Sequence, residues 1–298
     1  MWFPLQILSV FFWACLNVLN SILVKHYENR PYVLQWFQGL FTLAFLAIVI
    51  LTHPELRTGW ATILVVSGMC AYFGDALFFF MLDSVDVSVL NIAWALLAIF
   101  LSIGGFVLFG ETWSVLQWIG VVLVLCGITL LSSWHRKIAD PKSLLLFPVL
   151  AAIHTPFFLS QKAAIFAGES VLTAFTWSLL GREVLAWSVP FLFEKRRAVI
   201  FEAVRTKPLT FHIINGGVVS LFLIAVFLTA TAYTTGPVSL VSVIGNVQPF
   251  FVLFLAWLVW KTVPRFASRE LLTRQAVSVK IISFLIVFGG LALLALPQ

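Results

Sequence analysis

Asp75 sits in "AYFGDALFFFMLD", residues 71–83, a stretch otherwise almost wholly apolar. A carboxylate there costs free energy unless something answers it. On a helix it shares a face with Ala71, Tyr72 and Phe79. An ionisable group at membrane depth faces the bundle interior or a wet cavity, and it is a candidate for coupling to proton movement. The plainer reading is a cap or a structural hydrogen bond to a neighbouring helix. Arg182 and Glu183 form a second charged spot in "TWSLLGREVLAW". Adjacent helical residues point about 100° apart, so these two are not expected to pair with each other. Arg182 then needs an acid from elsewhere, either Asp75 or a substrate carboxylate. Alternatively, a broken or shifted helix leaves both at an interface.

Amides and aromatic rings extend the candidate set. Trp13, Asn17 and Asn20 form an i, i+4, i+7 stripe, and His154, Phe158 and Gln161 repeat that spacing. His154 is a candidate proton or ligand group, with a hydrogen-bonded structural histidine as the alternative. Asn91 and Trp94, with Asn246 and Gln248, complete the expected lining, although amides also glue membrane helices together. Pro249 removes an amide donor and frees a carbonyl one turn earlier, near Gly245, which suits a gate or a static kink. Trp177 offers a stacking wall or an interfacial anchor.

The elements that must position these residues follow from composition. Of 298 residues, 61% are hydrophobic and only 10% charged, with 30 Phe and 12 Trp. A soluble domain carries about 25% charged residues. This chain is therefore expected to be an all-α, polytopic membrane protein. Ten apolar runs meet the roughly 20 residues that cross a bilayer: 3–24, 32–52, 60–82, 87–109, 114–133, 143–163, 171–193, 209–233, 237–260 and 277–296. Turn and charge signals separate them, among them "ENRP", "GETWS", "FAGES", "EKRRAVIFEAVRTKP" and "TTGP". The joints are too short for a soluble catalytic domain, so function is expected between the helices. "MWFPLQILSV" lacks a basic leader and reads as a retained first span. Cys15, Cys70 and Cys126 lie in apolar runs and read as packed thiols.

The net charge of +6 comes with no basic face interleaved with aromatics, which argues against nucleic acid as a partner. No metal spacing, nucleophile elbow or phosphate loop is present. Neither an enzyme nor an ATP-driven pump is expected, and no cofactor or metal.

Internal similarity comes next. "DVSVLNIAWALLAIF" (86–100) aligns with "PVSLVSVIGNVQPFF" (237–251), the segment ending at Lys25 with that ending at Lys162, and "VLVLCGITLL" with "LIVFGGLALL". The order is kept, so residues 1–137 and 138–298 read as two five-helix repeats. An odd number of spans per repeat inverts the second copy, and inverted-repeat transporters bind at midplane between the repeats. Asn17 and His154 become symmetry mates, expected to line one central cavity.

The chain resembles a ten-helix member of the drug/metabolite transporter superfamily, of the EamA-like type. The resemblance rests on "FFWACLNVLNSILVK", on "LFGETWSVLQWIGVVLVLCGITLL" with its Gly-Glu turn, and on "GPVSLVSVIGNVQPFFVLFLAW" with its internal proline. It departs from the family pattern at Ala98, where proline is common, and at "WKTVPRFASRELLTR", which replaces the second Gly-Glu turn. The resemblance implies a ten-helix basket and export or exchange of small organic metabolites or drugs, in the plasma membrane (the inner membrane of a bacterium). Protons are the candidate coupling ion. The alternatives are a flippase-like translocase of lipid-linked head groups and a non-transporting membrane scaffold. Of 18 Lys and Arg, 15 fall on the joints after helices 1, 3, 5, 7 and 9, and only Arg57 and Lys162 on the opposite set. The positive-inside rule then puts both termini outside, whereas the resemblance implies termini inside.

Overall fold

The computed structural model describes residues 2–56, 58–84, 90, 92–112, 114–134, 141–266 and 274–294. Asn91 and the Val87-Ser88 pair lie outside the described residues. The α-helices are α1 (Trp2–His26), α2 (Pro31–Thr52), α3 (Ala61–Ser84), α4 (Ile92–Phe109), α5 (Val115–Trp134), α6 (Pro141–Phe166), α7 (Val171–Ser188), α8 (Glu194–Thr206), α9 (Leu209–Ala232), α10 (Val238–Ile244), α11 (Gln248–Thr262) and α12 (Arg274–Leu294). There is no strand among the described residues. Each expected apolar run is helical over most of its described length.

Local chemistry sets the ends. Pro31 opens α2, where a missing N–H costs nothing. The Ser170 hydroxyl accepts the Thr173 N–H and caps α7. Gly110 takes φ +66° and ends α4, delivering Glu111 to the turn. The span containing α10 and α11 is interrupted by a 3-10 turn at Gly245–Val247, and Pro249 falls in the first turn of α11.

Six stretches are long and apolar enough to cross a membrane: α1, α2, Ala61–Asp83, Leu145–Phe166, α9 and Val238–Thr262. The described apolar parts of α4, α5 and α12 are shorter. In α7, Arg182 and Glu183 dilute the apolar content. This is a multi-pass membrane protein.

One stretch read as a joint is a helix. Most of "EKRRAVIFEAVRTKP" forms α8, with Glu194 in its first turn and Arg205 in its last, both complementing the helix dipole. Its polarity sets it apart from the apolar runs, and it is too short and too charged to cross a membrane.

The packing order places the site. α3 contacts α6 and α7, α1 contacts α9 and the α10–α11 span, and α4 contacts α6 and α10. α2 lies against α7, while α5 and α12 pack chiefly on each other.

Candidate functional site

The centre of the bundle is assembled by small residues. A Cβ on Gly68 would collide with the Ser178 carbonyl, and one on Gly181 with the Val65 carbonyl. Without side chains there, α3 and α7 approach closely enough for their backbones to touch. That approach sets Asp75 against Arg182, whose Nε donates to Asp75 Oδ2 at 2.5 Å. Gly74 does the same for α6, because a Cβ at this position would occupy the space of the His154 ring. His154 Nε2 lies 3.2 Å from Asp75 Oδ1, and the Trp94 ring meets the imidazole edge-on at 5.0 Å.

The contacts of His154 favour one tautomer. His154 Nδ1 lies 3.0 Å from the Leu150 carbonyl, which only accepts, so Nδ1 carries a hydrogen. A neutral ring would then present a bare Nε2 to a carboxylate oxygen. A proton between Nε2 and Oδ1 turns that contact into a hydrogen bond. Arg182 Nη1 also donates to Glu183 Oε1, correcting the expectation that these neighbours do not pair. The long guanidinium bends back along its own helix, and its plane rests 4.4 Å from the centre of the Phe222 ring. The second Glu183 oxygen, Oε2, is buried with no hydrogen-bond partner, close to Gly39 of α2.

This cluster opens into a cavity at the centre of the bundle. Its walls are aromatic, from Trp13, Phe78, Phe79, Trp94, Phe157, Phe158 and Phe222, and its polar groups include Gln6, Asn17, Asn20, Gln38, Thr229 and Gln248. Nine of the expected residues line it: Trp13, Asn17, Asn20, Asp75, Trp94, His154, Arg182, Gly245 and Gln248. Four do not. Tyr72 is buried in the α2–α3 contact, where its carbonyl accepts from Gln35. Trp177 donates to the Leu56 carbonyl at 2.7 Å, near the end of the bundle. Asn246 turns back onto the Val243 carbonyl and lines a smaller gap against α4 and α5. Pro249 is buried in the first turn of α11.

Several lining residues escaped the sequence reading. Gln6 lies on the Trp13–Asn17 stripe, at i−7 and i−11, and extending that stripe finds it. Gln38 donates to Asn20 at 3.0 Å and to Asn215 at 3.4 Å, and nothing in its local spacing announced this. Tyr233 and Thr229 come from a segment read as a plain apolar run.

Polar clasps hold the two ends. At one, Glu111 accepts from the Val238 N–H at 2.8 Å and the Ser239 N–H at 3.2 Å, which caps α10, and Lys162 donates to the Tyr233 and Gly236 carbonyls. At the other, Glu28 binds Arg30 through both carboxylate oxygens and lies 2.9 Å from Lys207. Burial pushes the Glu28 carboxyl up, but hydrogen bonds from Arg30 and Lys207 outweigh it and hold the group at about 2. Among the described residues, no group of His, Cys, Asp and Glu is arranged to hold a metal.

A crystal structure described only as "Crystal structure of protein" superposes with a TM-score of 0.67 at 15% identity, covering 98% of this chain and 95% of its own. That likeness is one of fold. No curated protein matches the chain. Residues 1–133, which carry Asn17, Asp75 and Trp94, match the model of the EamA-like transporter family.

Proposed function

We propose that this protein is a secondary transporter that moves a small organic metabolite or drug across the plasma (inner) membrane, by export or exchange. The observation that carries this is the Asp75–His154–Arg182 cluster opening into an aromatic cavity. Buried charges are costly, and a structural core would do better with apolar side chains. Here they border the central cavity. Aromatic walls and amides suit a flat or amphipathic molecule, with Asp75 and His154 exchanging the coupling proton.

The mechanism is alternating access by rocking of two inverted five-helix repeats, 1–137 and 138–298, within a ten-span bundle. The packing order supports it. Exchanging each helix with its repeat mate turns the α1–α9 contact into α6–α3, and α4–α6 into the α10–α11 span against α1, and all four contacts occur. The pairs α2–α7 and α5–α12 map onto themselves. Both halves supply the cluster, so relative motion of the halves changes its geometry.

The test is counterflow in liposomes holding the purified protein, with a panel of radiolabelled aromatic and amphipathic solutes. Saturable exchange of at least one solute, abolished by filling the cavity with Ala98→Trp, is expected. A cavity-filled variant that exchanges like wild type would overturn the reading.

A further inference from the structure

Helix α8 stands apart from the cavity. It lies at the end of the bundle where α1 ends and α2 begins, joined to α7 by the 3-10 turn Val189–Leu192. Its inner face is short. Ile200 and Ala203 are buried, the Arg196 guanidinium lies 5.3 Å from the centre of the Tyr32 ring, and Lys207 bridges to Glu28. The rest is open, and its exposed face mixes apolar and basic side chains. Phe201 and Val204 are 49% and 45% exposed, three residues apart on one face, and Leu192 and Phe193 at the N-terminal end are 76% and 51% exposed. Between and beside them are Lys195, Arg197 and Arg205, all exposed. From Glu194 to Lys207 there are five basic residues, Lys195, Arg196, Arg197, Arg205 and Lys207, against the two acids Glu194 and Glu202.

Aromatic anchors mark the same level. Trp187 stacks on Phe191 at 5.7 Å, and Phe191 meets both Trp36 and Phe201 at about 6 Å between ring centres. Rings of this kind gather at the boundary between hydrocarbon and head groups. A helix whose exposed rings are interleaved with long Lys and Arg side chains suits that boundary, with the rings at the acyl edge and the charged ends reaching up to the phosphates.

We propose that α8 is an interfacial helix that binds the head groups of anionic phospholipids. Phe193, Phe201 and Val204 enter the acyl boundary, and Lys195, Arg197 and Arg205 engage phosphate. The occupant follows from charge complementarity: a net excess of three positive charges on a half-apolar helix matches an anionic lipid, which offers phosphate and hydrocarbon together. Zwitterionic lipid supplies the apolar part without the net charge. This proposal does not rest on the transport reading, since it concerns a surface outside the cavity.

The experiment uses the full chain purified in an uncharged detergent. Its unfolding midpoint and its lipid adducts in native mass spectrometry are followed during titration with phosphatidylglycerol, phosphatidylcholine or inorganic phosphate. Wild type should be stabilised, and should retain adducts, with phosphatidylglycerol far more than with the other two, and the preference should shrink in high salt. Each basic residue near an anionic surface contributes about fivefold, so Lys195→Gln/Arg197→Gln/Arg205→Gln should weaken retention roughly 100-fold. These three side chains are exposed, so folding should survive; Arg205→Glu alone, expected to lose at least about fivefold, serves if it does not. An equal response to both lipids, undiminished retention in the triple variant, or the same stabilisation by inorganic phosphate alone would each overturn the proposal. So would a protein partner that occupies α8 and excludes the lipid.

Discussion

Asp75→Asn tests the centre of the site, because asparagine fits the same hydrogen bonds but cannot take up or release the proton. Its Oδ1 accepts from Arg182 Nε, and its Nδ2 donates permanently to His154 Nε2, where the wild type needs a movable proton. Arg182 loses one charged partner but keeps Glu183 and the Phe222 face. A buried charge left wholly unpaired costs about 3–5 kcal/mol. Losing one charge-assisted bond of two should cost about 2 kcal/mol, and the variant should still fold. Transport should respond differently. A one-proton exchanger accumulates substrate by up to about tenfold per unit of pH gradient. In liposomes with an imposed gradient, the variant should drop to a concentration ratio near one and lose its pH profile, yet still carry out counterflow. If it accumulates substrate with an unchanged pH profile, the carboxylate is structural.

Gly74→Ala should push the His154 ring off Asp75, costing about 1–3 kcal/mol and abolishing proton-driven accumulation; a normal thermal midpoint and normal transport would refute the packing account. Glu28 has a lowered carboxyl value, so its stabilisation is complete above about 4.5 and is lost as pH falls through about 2. Glu28→Gln should therefore lower stability by about 2 kcal/mol at pH 7, discounted because Arg30 is 41% exposed, and thermal scans should show the gap from wild type closing below about pH 4. The loop charges predict that a fluorescent protein fused after Gln298 stays dark while a periplasm-dependent phosphatase there is active. The reverse would mean that α8 and its neighbours face outward.

Some of this was legible in the residues one at a time. Membrane character follows from 61% apolar composition, because so few polar groups cannot cover a water-exposed surface. Helix positions follow from run length, since the bilayer demands that every backbone group be satisfied within its own segment. Asp75, His154 and Arg182 stood out because each is expensive where it lies, and the 3.6-residue period put Trp13, Asn17 and Asn20 on one face. That same period extends to Gln6, which was overlooked for want of following the stripe two turns further.

Other features exist only once the chain is folded. Asp75 and Arg182 are 107 residues apart, and their meeting depends on Gly68 and Gly181 bringing α3 and α7 into backbone contact. No local pattern says which helix lies opposite which. Trp177 and Asn246 have the same polar-aromatic credentials as Trp94 and Asn17, yet their faces turn toward the Leu56 carbonyl and the Val243 carbonyl. Arg182 reaches its neighbour Glu183 through Nη1 while its Nε holds Asp75, because the guanidinium fork presents several donors at once. The sequence determined which groups carry a cost in the membrane; the tertiary structure decided where most of that cost is relieved, because Asp75 meets His154 and Arg182 only once helix packing brings α3, α6 and α7 together.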